Sequence, residues 1–416
     1  MTLDPVHVKE IASLAHQVGR RIDTTDHRTT AERAWTDLLD PLVANNRRIM
    51  EPVDRQYRKR VTIEDAALCD PPYPTNYGLD SGTLNPTTYK NGVVMDAAHA
   101  ALGCVPTDLE RHRSRTIVMT LHLDDPGHSF STDWRTYDED ASRMRIVDAP
   151  AVDRYNEAIV HALSLYLAEG AHARQYVDSI NSLLVLDGPI YPKDVLNWQD
   201  RDTDLADLLL AEMQPRQVVE NYLELVGDFL DRDLPIAGFV KNPSSRAITR
   251  ALGTKDVPTP WTDDTAFFIH LLEQREGDER VRDELTYTNW FVSRGGTDRT
   301  FAAGGDALGF ERRHTDEEYE VTFFVIYDPR DDVLYKAEAP YGVTKDEATR
   351  EALQTQMLSE VASQRGPPEA VAKADELARI SAREKEGLRR MIEGELDTEL
   401  SRTYDDLRWG GEEAFF

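Results

Sequence analysis

The spacing of hydrophobic residues predicts helices near the N-terminus. Apolar residues share one helix face in two stretches: Ile11, Leu14, Ala15 and Val18 in the first, and Trp35, Leu38, Leu39 and Leu42 in the second. A proline-rich stretch at 70–74 then interrupts the pattern. We therefore expect residues 1–72 to form a helical arm.

Short apolar runs between turn residues predict the strands of a sheet. These runs end at Asp80 or lie at 92–100, 115–123, 182–187, 236–241, 319–327 and 333–337. Helical spacing returns from Val152 to Glu169, between the third and fourth runs, and at about 215–231, between the fourth and fifth. This order predicts three antiparallel strands extended by parallel strands through right-handed crossovers. The expected fold class is α/β, a mixed sheet with flanking helices and helical arms at both ends.

Two acidic residues stand where a buried strand runs into a turn. Asp80 is followed by Ser-Gly and Asp187 by Gly-Pro. Glycine relaxes the backbone sterics at such a point and lets a ligand approach closely. Two such carboxylates, far apart in sequence, indicate neighbouring strands that converge on a divalent cation. That arrangement is typical of metal-dependent phosphodiesterases with a ribonuclease-H-like fold.

The chemistry of phosphodiester hydrolysis suggests further site residues. Two Mg²⁺ or Mn²⁺ ions about 4 Å apart activate water and stabilise the leaving oxygen, and such hard ions prefer carboxylate oxygens. We expect a third carboxylate near the start of the helix between the two aspartates, where Glu157 lies, whereas Glu169 lies at the far end. Lys241, at a strand end, is placed to balance carboxylate charge or to bind a phosphate.

Each of these residues also has a plainer interpretation. An aspartate before glycine is often only a turn residue. A glutamate in the first turn of a helix, such as Glu157, is often there because it interacts favourably with the helix dipole. Lys241 is also consistent with a solvated strand end.

The charge of the chain affects which partners are expected. It has 48 Lys and Arg against 76 Asp and Glu, a net charge of −28. Acid dispersed in this way resembles proteins of a high-salt cytoplasm, where salt screens the self-repulsion. Such a surface disfavours nucleic acid, except that at molar salt phosphate binding depends on a local basic groove or on bound metal.

The remaining composition sets the cellular context. Two cysteines, Cys69 and Cys104, are too few for a disulfide framework or a zinc site. The sequence has no signal-peptide pattern and no apolar stretch of about 18 residues. We expect a cytoplasmic protein that does not associate with membranes.

Five ordered sequence blocks resemble the NurA family of archaeal DNA repair nucleases. They are Leu79–Gly82, Leu184–Tyr191, Ile236–Arg246, Tyr335–Pro340 and Gly366–Asp375. The first reads Asp-Ser-Gly where the family has Asp-Gly-Ser. The last has Pro367 where the family has Tyr and Asp375 where it has His, although Asp375 can still bind metal.

The resemblance implies a Mn²⁺- or Mg²⁺-dependent DNA nuclease that acts in end resection at double-strand breaks. The family's 5′-to-3′ exonuclease and single-strand endonuclease activities would follow, as would a homodimeric ring and partnership with the hexameric HerA ATPase. It also implies a nuclease domain at 73–375, with an acidic insertion at about 255–318. The arm at 1–72 and a C-terminal helical region at 376–416 would then contact the second subunit or HerA.

Two other functions fit the same residues. The departures at Pro367 and Asp375 are compatible with a catalytically weakened protein that clamps DNA or serves as a scaffold for the ATPase. Residue spacing also leaves open a ribonuclease-H-like enzyme that acts on RNA.

Overall fold

The computed structural model describes residues 4–19, 24–125, 127–139, 141–150, 153–305 and 308–401. The helices of the first half are α1 (Pro5–Gly19), α2 (Thr24–Leu38), α3 (Ile63–Ala67), α4 (Leu109–Arg113), α5 (Asn156–Tyr176), α6 (Lys193–Leu196), α7 (Trp198–Arg201) and α8 (Thr203–Ala211). Those of the second half are α9 (Met213–Asp231), α10 (Ala247–Gly253), α11 (Asp264–Leu272), α12 (Tyr341–Thr344), α13 (Glu347–Gln364), α14 (Glu369–Ala378) and α15 (Ala382–Glu395).

The strands run through the whole described chain. Those before α5 are β1 (Leu42–Ala44), β2 (Arg47–Pro52), β3 (Arg58–Thr62), β4 (Asn76–Thr83), β5 (Thr87–Thr88), β6 (Val94–Val105), β7 (Arg115–His122), β8 (Arg135–Tyr137) and β9 (Ser142–Asp148). Those after it are β10 (Leu183–Asp187), β11 (Ile236–Val240), β12 (Arg275–Glu276), β13 (Glu279–Arg280), β14 (Glu284–Thr288), β15 (Phe291–Ser293), β16 (Val321–Asp328) and β17 (Val333–Pro340).

The centre of the sheet has the predicted order β7-β6-β4-β10-β11. The first three strands pair antiparallel, while β10 lies parallel to β4 and β11 lies parallel to β10. Helix α5 precedes β10, and α9 connects β10 to β11. The predicted mixed α/β fold with flanking helices is therefore confirmed.

The prediction of a wholly helical N-terminal arm is wrong between Leu42 and Thr62. Here β1, β2 and β3 form and join the large sheet through β15 and β14. The helical spacing that reaches Leu42 continues beyond α2, but Pro41 cannot continue a helix. Asn45 and Asn46 then adopt left-handed φ angles of 50° and 59° in a tight hairpin turn.

The acidic stretch at 255–318 is part of the folded core. Its helix α11 buries Phe267 and Phe268, and its strand β15 buries Phe291, all in one apolar cluster with Trp35 of α2. The stretch is therefore not a surface excursion. The domain boundaries at 72 and 375 stay predictions.

The C-terminal region predicted at 376–416 is helical through α15, and a break at Gly366–Pro368 separates α13 from α14. Leu400 then bridges to Tyr89. The part of the prediction that covers 402–416 lies outside the described residues. Within those residues, none of the helices has the length and apolarity needed to cross a bilayer.

Helices cover both faces of the central strands. Helix α5 packs on β4, β6 and β7 from one side, and α14 packs on β4 and β6 from the other. Contact with α14 is close: a Cβ at either Gly78 or Gly103 would lie 2.2 Å from the Ala370 carbonyl oxygen. This close approach brings residues of α14 next to the end of β4.

Candidate metal centre

Asp80 and Asp187 lie side by side on neighbouring strands. The parallel register of β4 and β10 pairs Leu79 with Leu186, so the next residue on each strand is the aspartate. Asp80 is buried, and the Asp187 side chain is 11% exposed. The Ser81 backbone N–H donates to Asp80 Oδ1 at 2.7 Å and orients that carboxylate. The structure thus brings together the two aspartates that the sequence singled out.

Glu169 of α5 is the third acidic residue at this point. Its Oε1 accepts a hydrogen bond from Ser81 Oγ at 2.7 Å, and its Oε2 accepts one from Tyr222 OH at 2.6 Å. Its negative charge raises the pKa of Asp80, as does that of Asp187. Glu169 is therefore held beside the two strands by residues of β4 and α9.

Glu157, the third carboxylate expected from the sequence, is not brought to the cluster. Its Oε1 accepts a hydrogen bond from Thr88 Oγ1 at 2.8 Å in the hairpin beyond β4. Twelve residues separate it from Glu169, about 18 Å along a helix. Because α5 begins beyond the end of β4, the helix passes Asp80 only three turns later. The sequence did carry a signal: Glu169 is the one acidic residue in the largely apolar stretch from Ala162 to Ala173.

Lys241 and Asp375 complete the cluster. Lys241 Nζ lies 2.7 Å from Asp187 Oδ2 at the end of β11. Partial burial disfavours its charged form, but the hydrogen bond to Asp187 and the charges of Asp187, Asp80 and Asp375 outweigh that effect and raise its pKa. Asp375 is exposed on α14 and adds to the negative charge that raises the pKa of Asp80.

The electrostatics of the cluster favour a bound cation. Burial, followed by the charges of Asp187 and Glu169, raises the pKa of Asp80 to about 9. Burial also raises the pKa of Glu169 to about 7, against the hydrogen bonds from Tyr222 and Ser81. The pKa of Asp187 is raised by burial, although Lys241 opposes the shift. Several close carboxylates thus share one compensating ammonium group, Lys241, and a divalent cation would relieve their repulsion.

The donor set fits Mn²⁺ or Mg²⁺. All of its oxygens are carboxylate oxygens, which hard ions prefer, and Mg²⁺ is commonly bound by one or two carboxylates with water and substrate phosphate completing the shell. Among the described residues, no group of three or more His, Cys, Asp or Glu side chains is arranged to hold a metal ion by itself, so water or a phosphate would have to contribute to the shell. Asp80 and Asp187 are the natural pair of direct ligands, with Glu169 beside them.

Glu338, in the block Tyr335–Pro340, has a structural position. It is buried on β17, where its Oε1 lies 2.6 Å from both Lys193 Nζ and Lys336 Nζ. Its Oε2 accepts a hydrogen bond from the Ile190 backbone N–H at 3.3 Å. Glu338 therefore anchors the loop that leaves Asp187.

Comparison with known proteins shows which family the chain resembles in fold and sequence. A search of curated proteins gave no match. Among solved structures, the NurA nuclease from Sulfolobus solfataricus is similar at 12% identity and a TM-score of 0.50, over 95% of this chain and 98% of that one. A NurA structure with manganese has 10% identity and a TM-score of 0.43, over 80% of this chain and 92% of that one. Another, bound to dAMP and manganese, has 12% identity and a TM-score of 0.41, over 82% and 91% of the two chains.

A family model adds sequence evidence to the likeness in fold. The model described as the NurA domain matches residues 74–380, which is most of the chain. That range contains both strand-end aspartates, Glu169, Lys241 and Asp375. The chain therefore belongs to the NurA family.

Proposed function

We propose that this protein is a metal-dependent DNA nuclease whose centre is formed by Asp80, Asp187 and Glu169. The observation that carries the proposal is the placement of Asp80 and Asp187 on adjacent strands, with Glu169 held beside them. Membership of the NurA family supports it. Glu169 replaces Glu157 in the proposed set because Glu157 is bonded to Thr88 instead.

Each residue has a distinct part in the proposed reaction. Asp80 and Asp187 would hold Mn²⁺ or Mg²⁺, which when bound would supply Lewis-acid stabilisation of charge at the phosphate; the family resemblance implies two ions. Asp80 and Asp187 offer oxygens from rigid strand ends. Glu169, oriented by Ser81 and Tyr222, has a pKa of about 7 and so suits proton transfer from water near neutral pH. Lys241 offsets the charge of Asp187 and is placed to contact a phosphate oxygen.

The finer assignments rest on the family resemblance. They are 5′-to-3′ exonuclease activity, single-strand endonuclease activity, a homodimer, and DNA end resection with the HerA ATPase. Asp375 stands where the family has histidine, and its position near Asp80 and Asp187 supports a share in metal binding.

Labelled linear DNA tests the proposal. The protein is incubated in high KCl with Mn²⁺, Mg²⁺ or EDTA, using DNA labelled at the 5′ or the 3′ end. We expect metal-dependent degradation that Asp187→Ala abolishes, and the label that is released first gives the polarity. Folded wild-type protein that leaves DNA intact, alone and with the ATPase, would instead support the scaffold. Preferential cleavage of RNA in competition would support the ribonuclease.

A further inference from the structure

Two clefts form a continuous groove next to the chain segments that follow Asp187 and flank Lys241. The first, of about 580 Å³, is lined by Val240 and Asn242, which flank Lys241, and by Pro189, two residues after Asp187. The second, of about 560 Å³, shares Ile49, Gly295 and Gly296 with the first. Because the lining is shared, a polymer bound at the carboxylates has a path along both clefts.

The groove has more basic than acidic lining residues, although the chain as a whole is strongly acidic: six arginines and two lysines line it, against Asp194, Asp298 and Glu338. We call it the arginine groove, after the lining residues Arg47, Arg48, Arg246, Arg250 and Arg299. Arg48 pairs with Glu51, and Arg299 pairs with Asp200. The side chains of the other three are exposed and have no carboxylate partner among the described residues. Three uncompensated guanidinium groups are thus grouped at one groove of a chain whose net charge is −28.

Two elements that pack against each other present four of these arginines. The Asn45–Asn46 hairpin turn places Arg47 and Arg48 at the start of β2, with Asn45 lining one cleft and the arginines lining the other. Helix α10, which packs against β1, presents Arg250, with Arg246 directly before it. The walls therefore belong to a packed unit and are not loose surface side chains.

We propose that the arginine groove binds the phosphate backbone of the single nucleic-acid strand whose bond is cut at the metal centre. The inference rests on the proposed nuclease function for the position of the cut. Guanidinium groups bind phosphate in a bidentate manner, and the lining also offers the hydroxyls of Ser244 and Thr297. The groove thus supplies the local basic surface that an acidic protein requires to hold a polyanion.

The lining indicates binding that is independent of base sequence. Tyr166 is the aromatic residue among the lining residues of the two clefts, and it is buried with its OH bonded to Asp194. The described residues that line these two clefts therefore give bases no exposed aromatic ring to stack on. Contacts to phosphate position a strand without reading its sequence.

Binding without cleavage tests the groove directly. The dissociation constant of fluorescent (dT)20 is measured in EDTA across a series of KCl concentrations, for wild type and for Arg47→Ala/Arg250→Ala. Arg383→Ala is the control, because Arg383 is exposed on α15 and does not line the groove. We expect the double variant to bind at least about tenfold more weakly, with a slope of log Kd against log[KCl] shallower by about 1.4, or 0.7 for each lost phosphate contact. The Arg383→Ala control should bind (dT)20 with a Kd within about twofold of the wild-type value. Wild type should bind (dA)20 with a Kd within about twofold of its Kd for (dT)20.

A small substrate separates this inference from the proposed function. Thymidine 5′-p-nitrophenyl phosphate reaches the metal centre without extending along the groove, so wild type and the Arg383→Ala control should hydrolyse it with the same kcat/KM while Asp187→Ala does not. If the folded double variant binds (dT)20 with the wild-type Kd, the groove does not bind the strand, while the proposed nuclease function is unaffected. If the double variant binds (dT)20 more weakly but wild type hydrolyses neither DNA nor thymidine 5′-p-nitrophenyl phosphate, the groove is supported and the proposed nuclease function is refuted.

Discussion

At the residue scale, the carboxylates of Asp80 and Glu169 lie close to that of Asp187, which pairs with Lys241. Asp80 is the most strongly affected, since burial and its acidic neighbours raise its pKa to about 9. Without a cation, such grouping of acidic side chains destabilises the folded state, a common consequence of building a functional site. The stability of the metal-free protein is therefore expected to improve when one of these charges is removed.

Asp80→Asn should stabilise the metal-free protein and remove its response to metal. We expect its Tm in EDTA to rise by about 2 °C or more, because the amide removes the cost of protonating a carboxylate, or of burying its charge, beside Asp187 and Glu169. Added Mn²⁺ should raise the Tm of wild type and leave that of the variant unchanged. Differential scanning calorimetry makes the comparison, with Asp70→Asn in an exposed loop as the control. A variant that is less stable than wild type in EDTA would contradict repulsion at this site.

His172 of α5 gives the fold a defined sensitivity to acid. It is buried, and burial followed by the charges of Arg115, Arg143 and His99 lowers its pKa to about 3. Its Nδ1 pairs with Thr116 Oγ1 at 2.9 Å, while its Nε2 has no hydrogen-bond partner among the described residues. A proton on this ring would therefore be unpaired as well as repelled.

The unfolded chain binds this proton more readily than the folded protein between about pH 6.5 and pH 3, so stability falls as the pH drops through 6.5. Between pH 7.5 and 5.5, His172 should account for about 1.4 kcal/mol of lost unfolding free energy. Between the same pH values, the unfolding free energy of His172→Asn should fall by about 1.4 kcal/mol less than that of wild type. The variant should be less stable than wild type at both pH values. Urea unfolding at the two pH values measures this, with His7→Asn on exposed α1 as the control. Equal losses in wild type and variant would refute the assignment.

At the residue scale the sequence predicted the aspartates but not Glu169. A carboxylate where a strand meets a turn is a local pattern, so Asp80 and Asp187 are recognisable without the fold. Which turn of α5 passes Asp80 depends on where the helix starts relative to the end of β4, and that is set by packing across the sheet. The approach of Asp375 likewise depends on the packing of α14 against Gly78 and Gly103.

At the element scale, the loop after β10 crosses directly over β11. A Cβ at Gly238 would lie 2.5 Å from the Gly188 carbonyl oxygen and 2.7 Å from the Ile190 backbone nitrogen. Both atoms are backbone, so the loop itself would have to move. Since this loop begins directly after Asp187, its position and that of the carboxylate are coupled.

Gly238→Ala should therefore impair both folding stability and cleavage. We expect a loss of about 1–3 kcal/mol, as for overpacking of a closely packed interior, and reduced Mn²⁺-dependent activity in the protein that remains folded. Gly253→Ala is the matched control, because a Cβ there has no atom within 4 Å. Urea unfolding and the DNA cleavage rate give the two readouts. A Gly238→Ala protein as stable and active as the control would show that the loop is free to shift.

Elements with a strong period were predictable, and those formed by long-range pairing were not. The strands of the central sheet and helices α5 and α9 follow from their apolar spacing. Strands β1–β3 are short, and their partners β15 and β14 lie more than 200 residues away. Local spacing carries no information about such partners, so the apolar spacing predicted a helical arm that continues past Pro41. The hairpin that presents Arg47 is a local pairing, and it was missed because the helical interpretation was extended through β1 and β2.

At the scale of the whole molecule, the net charge of −28 makes stability depend on salt. Screening of like charges favours the compact state, and at 1 M salt the screening length is about 3 Å. We expect the Tm to rise steadily between 0.1 and 2 M KCl. The change of Asp37, Asp70 and Asp278, which are exposed, to asparagine should reduce that rise. A Tm independent of KCl, or the same rise in the triple variant, would contradict charge repulsion as the cause.

Mn²⁺-dependent cleavage of 5′-labelled linear DNA by wild type, Glu169→Gln and Glu157→Gln tests the proposed centre most directly. Both substitutions remove a glutamate charge from the same helix, but only one of these side chains lies beside Asp80. We predict that Glu169→Gln lowers the rate at least about 100-fold, the scale of positioned acid–base groups, while Glu157→Gln stays within about twofold of wild type and EDTA stops all three. Activity retained by Glu169→Gln and lost in Glu157→Gln would place the metal centre elsewhere.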